Sequence, residues 1–440
     1  MIEPSTGAPA RSHNAQSLAW ATWSLFVGLG LLLVGAGLFA TVVGVQAERL
    51  HYSNAELGIL GASYYAGFLV GARITTLALA RVGHIRVYAA LAALLAATTI
   101  SVGLRDDSWI WISLRFASGI STAGLYVVAE SWLNQLATNT NRGRLLAVYV
   151  VVTNGAYGIG QLLIGSISTS ETTAFAISAI LTSLAVVPVM LSEEAVPPSH
   201  AHDAKLRLRE LAKAVPTGVG TCLLVGITHG ALVAMSIIYA TSAGLSAAEI
   251  GRFVAVTALG GVILQWPIST ASDELDRRFV GVVIALLSVA SSVWLLQAGP
   301  RGWQGIGAMF LLGGFSFPLY SIGAAYTNDW VEPKYVNGAA SQLVVIYGLG
   351  ALVGPLLTSF ATSLLGNDGF PWAMIAMHAA IVGFLIYRMF AWRSPIAPLA
   401  WREAAYSTRI FFIPANVVWM GRKLGLTPRD HDEPPEHVTR

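Results

Sequence analysis

The chain has one cysteine and little charge: of its 440 residues, Asp, Glu, Lys and Arg make up 11%, against about 25% in an ordinary soluble domain. A lone Cys222 excludes an internal disulfide and a thiolate metal cluster, and its place inside an apolar run suits packing. P-loops, H-E-x-x-H helices and G-x-S-x-G elbows are missing, so ATP-driven transport and intramembrane hydrolysis have no residues to carry them. No enzymatic activity, metal or cofactor is therefore expected. Basic charge is not concentrated: a formal net charge of +3, spread along short loops, provides no nucleic-acid surface. His200 and His202 lie beside Glu193 and Glu194 in a stretch of linker composition and are not expected to bind metal. The first apolar run is too long for a signal core and shows no cleavage site, so it is expected to be a retained helix.

What is abundant is apolar sequence, 55% of the chain. Stretches near the 20 or so residues that cross a bilayer cover 19–45, 55–79, 87–104, 109–133, 145–167 and 172–191. A second series covers 215–240, 247–271, 279–297, 302–326, 338–361 and 371–390. The expected fold class is all-α, a polytopic membrane protein with twelve transmembrane helices. An even count returns both termini to one side. Most of the 26 Lys and Arg fall in the termini and the loops on that side, among them Arg81, Arg86, Arg142, Arg144, Lys205, Arg277, Arg278 and Arg388. The opposite loops hold few, chiefly Arg49, Arg105 and Arg301, so both termini are expected in the cytoplasm. The expected organisation is a tail over 1–18, a six-helix bundle over 19–191, a cytoplasmic loop over 192–214, a second bundle over 215–391 and a tail over 392–440. In that last tail, 399–423 mixes aromatics with arginines in a pattern suited to the lipid interface.

The two series are copies. Ser53-Asn-Ala-Glu-Leu-Gly58 and Ser246-Ala-Ala-Glu-Ile-Gly251 share the form S-x-A-E-[L/I]-G at an offset of 193 residues. The same offset pairs Gly67 with Gly260 and His84 with Arg277, and one residue more pairs Leu125-Tyr126 with Leu319-Tyr320. A hydrophobic chain duplicated at half its length is the sequence form of a transporter built from two similar bundles.

Loop sequences refine this. Between the second and third helices stand Gly71, Arg73, Ala80, Arg81, Gly83 and Arg86; between the eighth and ninth stand Ser269, Asp273, Arg277 and Arg278. The fourth helix carries R-x-x-x-G at Arg115 and Gly119, followed by Arg142-Gly143. These positions resemble the signature loops of the major facilitator superfamily, with Ala80 standing where its acid belongs. The strings R-V-G-H-I-R-V, G-L-Y-V-V-x-E-S-W-L-N and N-x-R-G-R-L-L resemble the YcaD-like branch of its bacterial members. The resemblance implies two pseudo-symmetric six-helix bundles that rock about a central small-molecule site. It also implies a monomer in the bacterial inner (plasma) membrane, a secondary gradient with H+ as the first coupling ion, and contact with the lipid bilayer as its only large partner. A non-transporting receptor or scaffold on the same fold is the alternative.

Arg115 lies within its span, where an ionisable group is a functional candidate by default. Glu130 is fifteen residues further on, roughly 22 Å along the helix, so the two cannot pair. Either Arg115 attracts an anionic solute or it tunes a proton-carrying acid. Glu130 with Arg73, Arg81 or Arg86 is expected to form an inner gate, joined by Arg142, while the resemblance makes Asp273, with Arg277 and Arg278, a gate contact. Helices one, four, seven and ten line the cavity in that family, which adds Tyr126, His229, Phe317 and Tyr320 as pathway candidates. His229 either couples protons or packs through hydrogen bonds.

Overall fold

A computed structural model of the chain describes residues 15–136, 142–167, 171–191, 206–332 and 335–391. Among these the chain is helical and has no strand. The helices are α1 (Ala15–Arg49), α2 (Asn54–Val82), α3 (His84–Val102), α4 (Ser108–Leu136), α5 (Arg142–Leu163), α6 (Glu171–Leu184) and α7 (Val186–Met190). There follow α8 (Leu208–Ala214), α9 (Pro216–Ser242), α10 (Ala247–Glu274), α11 (Arg277–Ala298), α12 (Gly302–Ser316), α13 (Pro318–Trp330), α14 (Val336–Leu365) and α15 (Gly369–Ala391). Ten segments among the described residues are long and apolar enough to cross a bilayer. One of them, 338–391, holds both α14 and α15 around a 3-10 turn, and the 148–163 part of α5 is a shorter apolar helix. Helix α8 falls in the stretch expected as the central loop, whereas 192–205 and the interfacial segment at 399–423 lie outside the described residues. The outer faces are themselves apolar, with Leu77, Val151, Trp266 and Phe360 all more than 60% exposed, as contact with lipid requires.

Proline accounts for one interrupted span. It has no N–H to continue a helical ladder and its ring crowds the preceding turn, and the span Gly302–Trp330 breaks at Phe317, one residue before Pro318, into α12 and α13.

Both halves use the same pairing of helices. In the first, α1 packs on α5 and α6, α2 on α4, and α3 on α4 and α6; in the second, α9 packs on α14 and α15, α10 on α12, and α11 on α12 and α15. Glycines set the closest crossings. A Cβ on Gly67 would overlap the Phe116 carbonyl and one on Gly119 the Tyr64 carbonyl; at the paired positions, Gly260 meets the Phe310 carbonyl and Gly313 the Thr257 carbonyl. Gly37 against Tyr157 and Gly160 against Val34 are likewise matched by Gly230 against Ala351 and Gly354 against Ile227. The duplication read from the repeated hexapeptide thus extends to individual backbone contacts.

The apolar cores break this symmetry between the two ends of the molecule. At the end where α1 starts and α15 finishes, buried clusters stay within one half: Leu25 to Leu33 with Leu125 to Leu133 in the first, Val225 with Val280 to Ala285 and Leu319 in the second. At the far end one cluster draws on both halves, joining Leu38 to Ala47, Leu57 and Trp111 to Ala231 to Ala240, Phe253 and Leu312. Cross-half glycine contacts reinforce it: Gly44 against Ile237, Gly61 against Pro355, Gly165 against Ala248 and Gly251 against Gln161.

The repeated hexapeptide sits in this seal. Ser53 and Ser246 cap α2 and α10, and Glu56 and Glu249 close the capping boxes by accepting the cap backbone N–H at 2.8 Å. Each box satisfies helix-end donors that would otherwise be unpaired. Two residues later, Gly58 and Gly251 leave room for a helix of the opposite half, and the Ser359 hydroxyl donates to the Asn54 carbonyl across that contact.

Candidate functional site

Beneath the shared core lies a cavity between the halves, open in part to solvent. Helices α1 to α5 line one side and Val233, Ala234, Ile237 and Ile238 of α9 the other. Arg115 projects into it from α4. Its guanidinium carbon stands 4.6 Å from the Tyr64 ring centre and 5.4 Å from that of Phe39. Its Nε is sealed from solvent without a hydrogen-bond partner, and the residue has no carboxylate partner among the described residues. No Asp or Glu lines the cavity.

The local fold explains this placement. Gly119 lies one turn along α4 from Arg115, and its missing side chain lets the Tyr64 segment of α2 approach to backbone contact, which sets the Tyr64 ring against the guanidinium. R-x-x-x-G is thus a side chain and the clearance for its neighbour. Tyr65, Tyr126 and Tyr157 complete an aromatic lining. Tyr64 meets Tyr65 edge-on at 5.3 Å, and Phe68 continues the series to Tyr126 at 6.5 Å. Ser118 and Thr122 donate to carbonyls one turn back on α4.

Of the pathway candidates, Arg115 and Tyr126 line this cavity, and His229, Phe317 and Tyr320 do not. Those three form a chain in the second half, in which Tyr320 packs on Tyr347, Tyr347 on His229, and His229 on Phe317. Both ring nitrogens of His229 are engaged, at 3.1 Å from the Tyr347 hydroxyl and 2.9 Å from the Ser316 carbonyl. The carbonyl accepts, so Nε2 carries the proton and Nδ1 accepts from Tyr347. His378 holds the Ser316 hydroxyl at 3.1 Å, so both histidines meet at the α12–α13 break. Sequence reasoning missed Phe39, Tyr64, Tyr65 and Tyr157. The Tyr64-Tyr65 pair inside an apolar span, and a tyrosine in the glycine-rich face of α5, were the available signals.

At the terminus end Glu130 is not brought to an arginine. Its carboxylate accepts from the Tyr149 hydroxyl of α5 at 3.1 Å, while Arg73, Arg81 and Arg86 are exposed and the Arg142 side chain lies outside the described residues. In the second half, buried Arg277 joins Asp329 at 2.7 Å and Asp273 at 3.2 Å, all within that half. Arg278 pairs with Asp276 at 2.9 Å and reaches the Arg388 carbonyl. Asp276 also caps α11 through the Arg278 N–H. Partial burial raises its carboxyl, but the bonds and charge of Arg278 outweigh this and hold it below the usual carboxylate value. The first half answers this ion cluster with a neutral contact, His84 to Ser131 at 2.9 Å.

A duplicated, lipid-faced helical chain with a polar cavity between its halves defines a multi-pass membrane protein of the transporter class. The Major Facilitator Superfamily model matches residues 25–317 and 217–421, and the chain belongs to that superfamily. It is 30% identical over 371 residues to proteins named uncharacterized MFS-type transporter YcaD in Escherichia coli strain SE11 and Shigella flexneri, covering 83% of this chain and 94% of theirs. Its fold is similar to that of the nucleoside transporter NupG, with a TM-score of 0.71 at 12% identity, covering 85% of this chain and all of NupG. It is also similar to a bacterial homolog of the human lysosomal transporter Spinster, in an inward-facing and unoccupied conformation, with a TM-score of 0.67 at 15% identity over 86% of this chain and 96% of that one.

Proposed function

We propose that the chain is a secondary active transporter that moves a small organic solute by alternating access, with the Arg115 cavity as its solute site. One observation carries this reading: the cavity lies between the two halves, and a core that both halves share seals it at one end only. A site so placed changes its accessibility whenever the halves rock. Twelve crossing segments in two bundles of six follow if α5 crosses and if α14 and α15 cross separately. The bias of basic residues puts the terminus end in the cytoplasm of a bacterial cell, which makes this an inward-facing conformer. Glu130, exposed on that side and held by one hydroxyl, is the proton carrier of this reading. Asp273, Arg277 and Arg278 form the gate of the second half, poised to meet the first when the inner side closes. The protein works as a monomer, without metal or cofactor.

The test is solute flux in proteoliposomes under an imposed proton gradient, over a panel of metabolites and drug-like compounds. Saturable uptake that collapses with a protonophore is expected, and Glu130→Gln should abolish gradient-driven accumulation while leaving solute exchange. If nothing on the panel moves while a cytoplasmic protein is retained by the purified chain, the molecule is a receptor on a transporter fold.

A further inference from the structure

The charge balance of the cavity limits what it can hold. Arg115 is half-buried, and the part of its guanidinium that is withdrawn from water is costly unless it is paired. The two rings over Arg115 return part of that cost, and they accept none of its in-plane hydrogen bonds. No acid lines the cavity, and no carboxylate partners Arg115 among the described residues. The sealed Nε without a partner is a second sign that the donor set is incomplete. The pseudo-symmetric position holds Met309, which is fully buried in the shared core. Arginine is therefore not a requirement of the scaffold.

Resting on the transport reading above, we propose that the cavity takes a small organic monoanion, with its acidic group at Arg115 and a flat apolar body against α9. One unpaired cation calls for one negative charge. A planar guanidinium offers a fork of N–H donors that matches a carboxylate or sulfonate in geometry as well as in charge. The opposite wall, Val233, Ala234, Ile237 and Ile238, is wholly apolar, so the solute lies with its charge toward the first half and its hydrocarbon toward the second. Tyr64, Tyr65 and Tyr157 supply faces for an aromatic body. Such a solute bridges both halves and neutralises the arginine before the site reorients, which favours the loaded form of the carrier over the empty one.

The experiment uses the full-length protein in proteoliposomes, with counterflow of labelled benzoate and benzenesulfonate against benzamide, benzylamine and a neutral nucleoside. Thermal unfolding with the same probes gives a binding readout independent of leak. The two anions should exchange and stabilise, and benzamide, which has the same body without the charge, should do neither. Arg115→Gln should cut anion counterflow by about 10- to 100-fold, the worth of a charge-assisted hydrogen bond, and Arg115→Lys should recover only part of it. Val233→Trp, which fills the apolar wall and leaves the charge in place, should weaken both anions and separates this inference from a folding defect at Arg115. If the amine, amide or nucleoside is carried and neither anion is, the monoanion is overturned and transport stands. If no probe of any charge moves or stabilises, both readings fall.

Discussion

Arg115 and Met309 occupy equivalent places on equivalent helices, and the difference between them is what makes one half of this molecule chemically distinct. The scaffold beneath is shared, since Gly119 and Gly313 clear the same contact against α2 and α10. Arg115 was legible as a candidate because an arginine inside an apolar run is costly. Its partners were not, because Tyr64 is fifty-one residues away in the sequence and only the α2–α4 crossing brings it close. Asp276 permits a separate test at this scale. Its folded carboxyl titrates below the unfolded one, so its contribution is complete above about pH 4 and is lost as the pH falls through the lower folded value. The side chain is 42% exposed, so screening reduces its contribution, with the cap, to about 1 kcal/mol or less. Asp276→Asn should lower the unfolding temperature at pH 7 and flatten its decline toward pH 3. An unchanged pH profile would remove Asp276 from the account.

At the scale of helices, S-x-A-E-[L/I]-G combines a local instruction with a distant one. The serine and glutamate form capping boxes, and that part is readable from the spacing alone. The glycine serves a partner helix in the opposite half, which no local pattern reveals. Gly251→Val should drive a side chain into the Gln161 carbonyl and Ile164 and loosen the far-end seal. Cys222 is the one cysteine, so a Cys222→Ala background makes this measurable. A cysteine introduced at Ala240, fully buried in the shared core, should label slowly in that background and faster by about tenfold or more once Gly251 is changed, since about 1.4 kcal/mol of lost seal shifts the open population that far. Equal labelling in both would mean that the glycine is only a packing detail. His229 belongs at this scale too. Sequence reading left it between proton coupling and packing, and its two bonds tie α9 to α14 and to the end of α12.

Over the whole molecule, the proposed function makes the shared core at one end and the separate cores at the other one of two alternating states. Cysteines placed by the same method should report it. Tyr320→Cys, on α13 toward the terminus end, should react with a thiol reagent applied from the side that holds the termini, and Ala240→Cys, in the shared core, should not react from either side. The reverse pattern would mean that the molecule rests in the opposite conformation. By itself the sequence determined the helical class, the duplication and the family resemblance and marked Arg115 as a candidate, because apolar run length, repeat spacing and a charge in an apolar run are local properties of a chain. Only the tertiary structure decided that Glu130 meets Tyr149 instead of an arginine, that His229 and Tyr320 stand apart from the cavity, and that four aromatic residues from three helices surround Arg115. These depend on how far each helix is turned about its axis. That rotation is set by glycine clearances between segments remote in sequence, through packing that no single segment encodes.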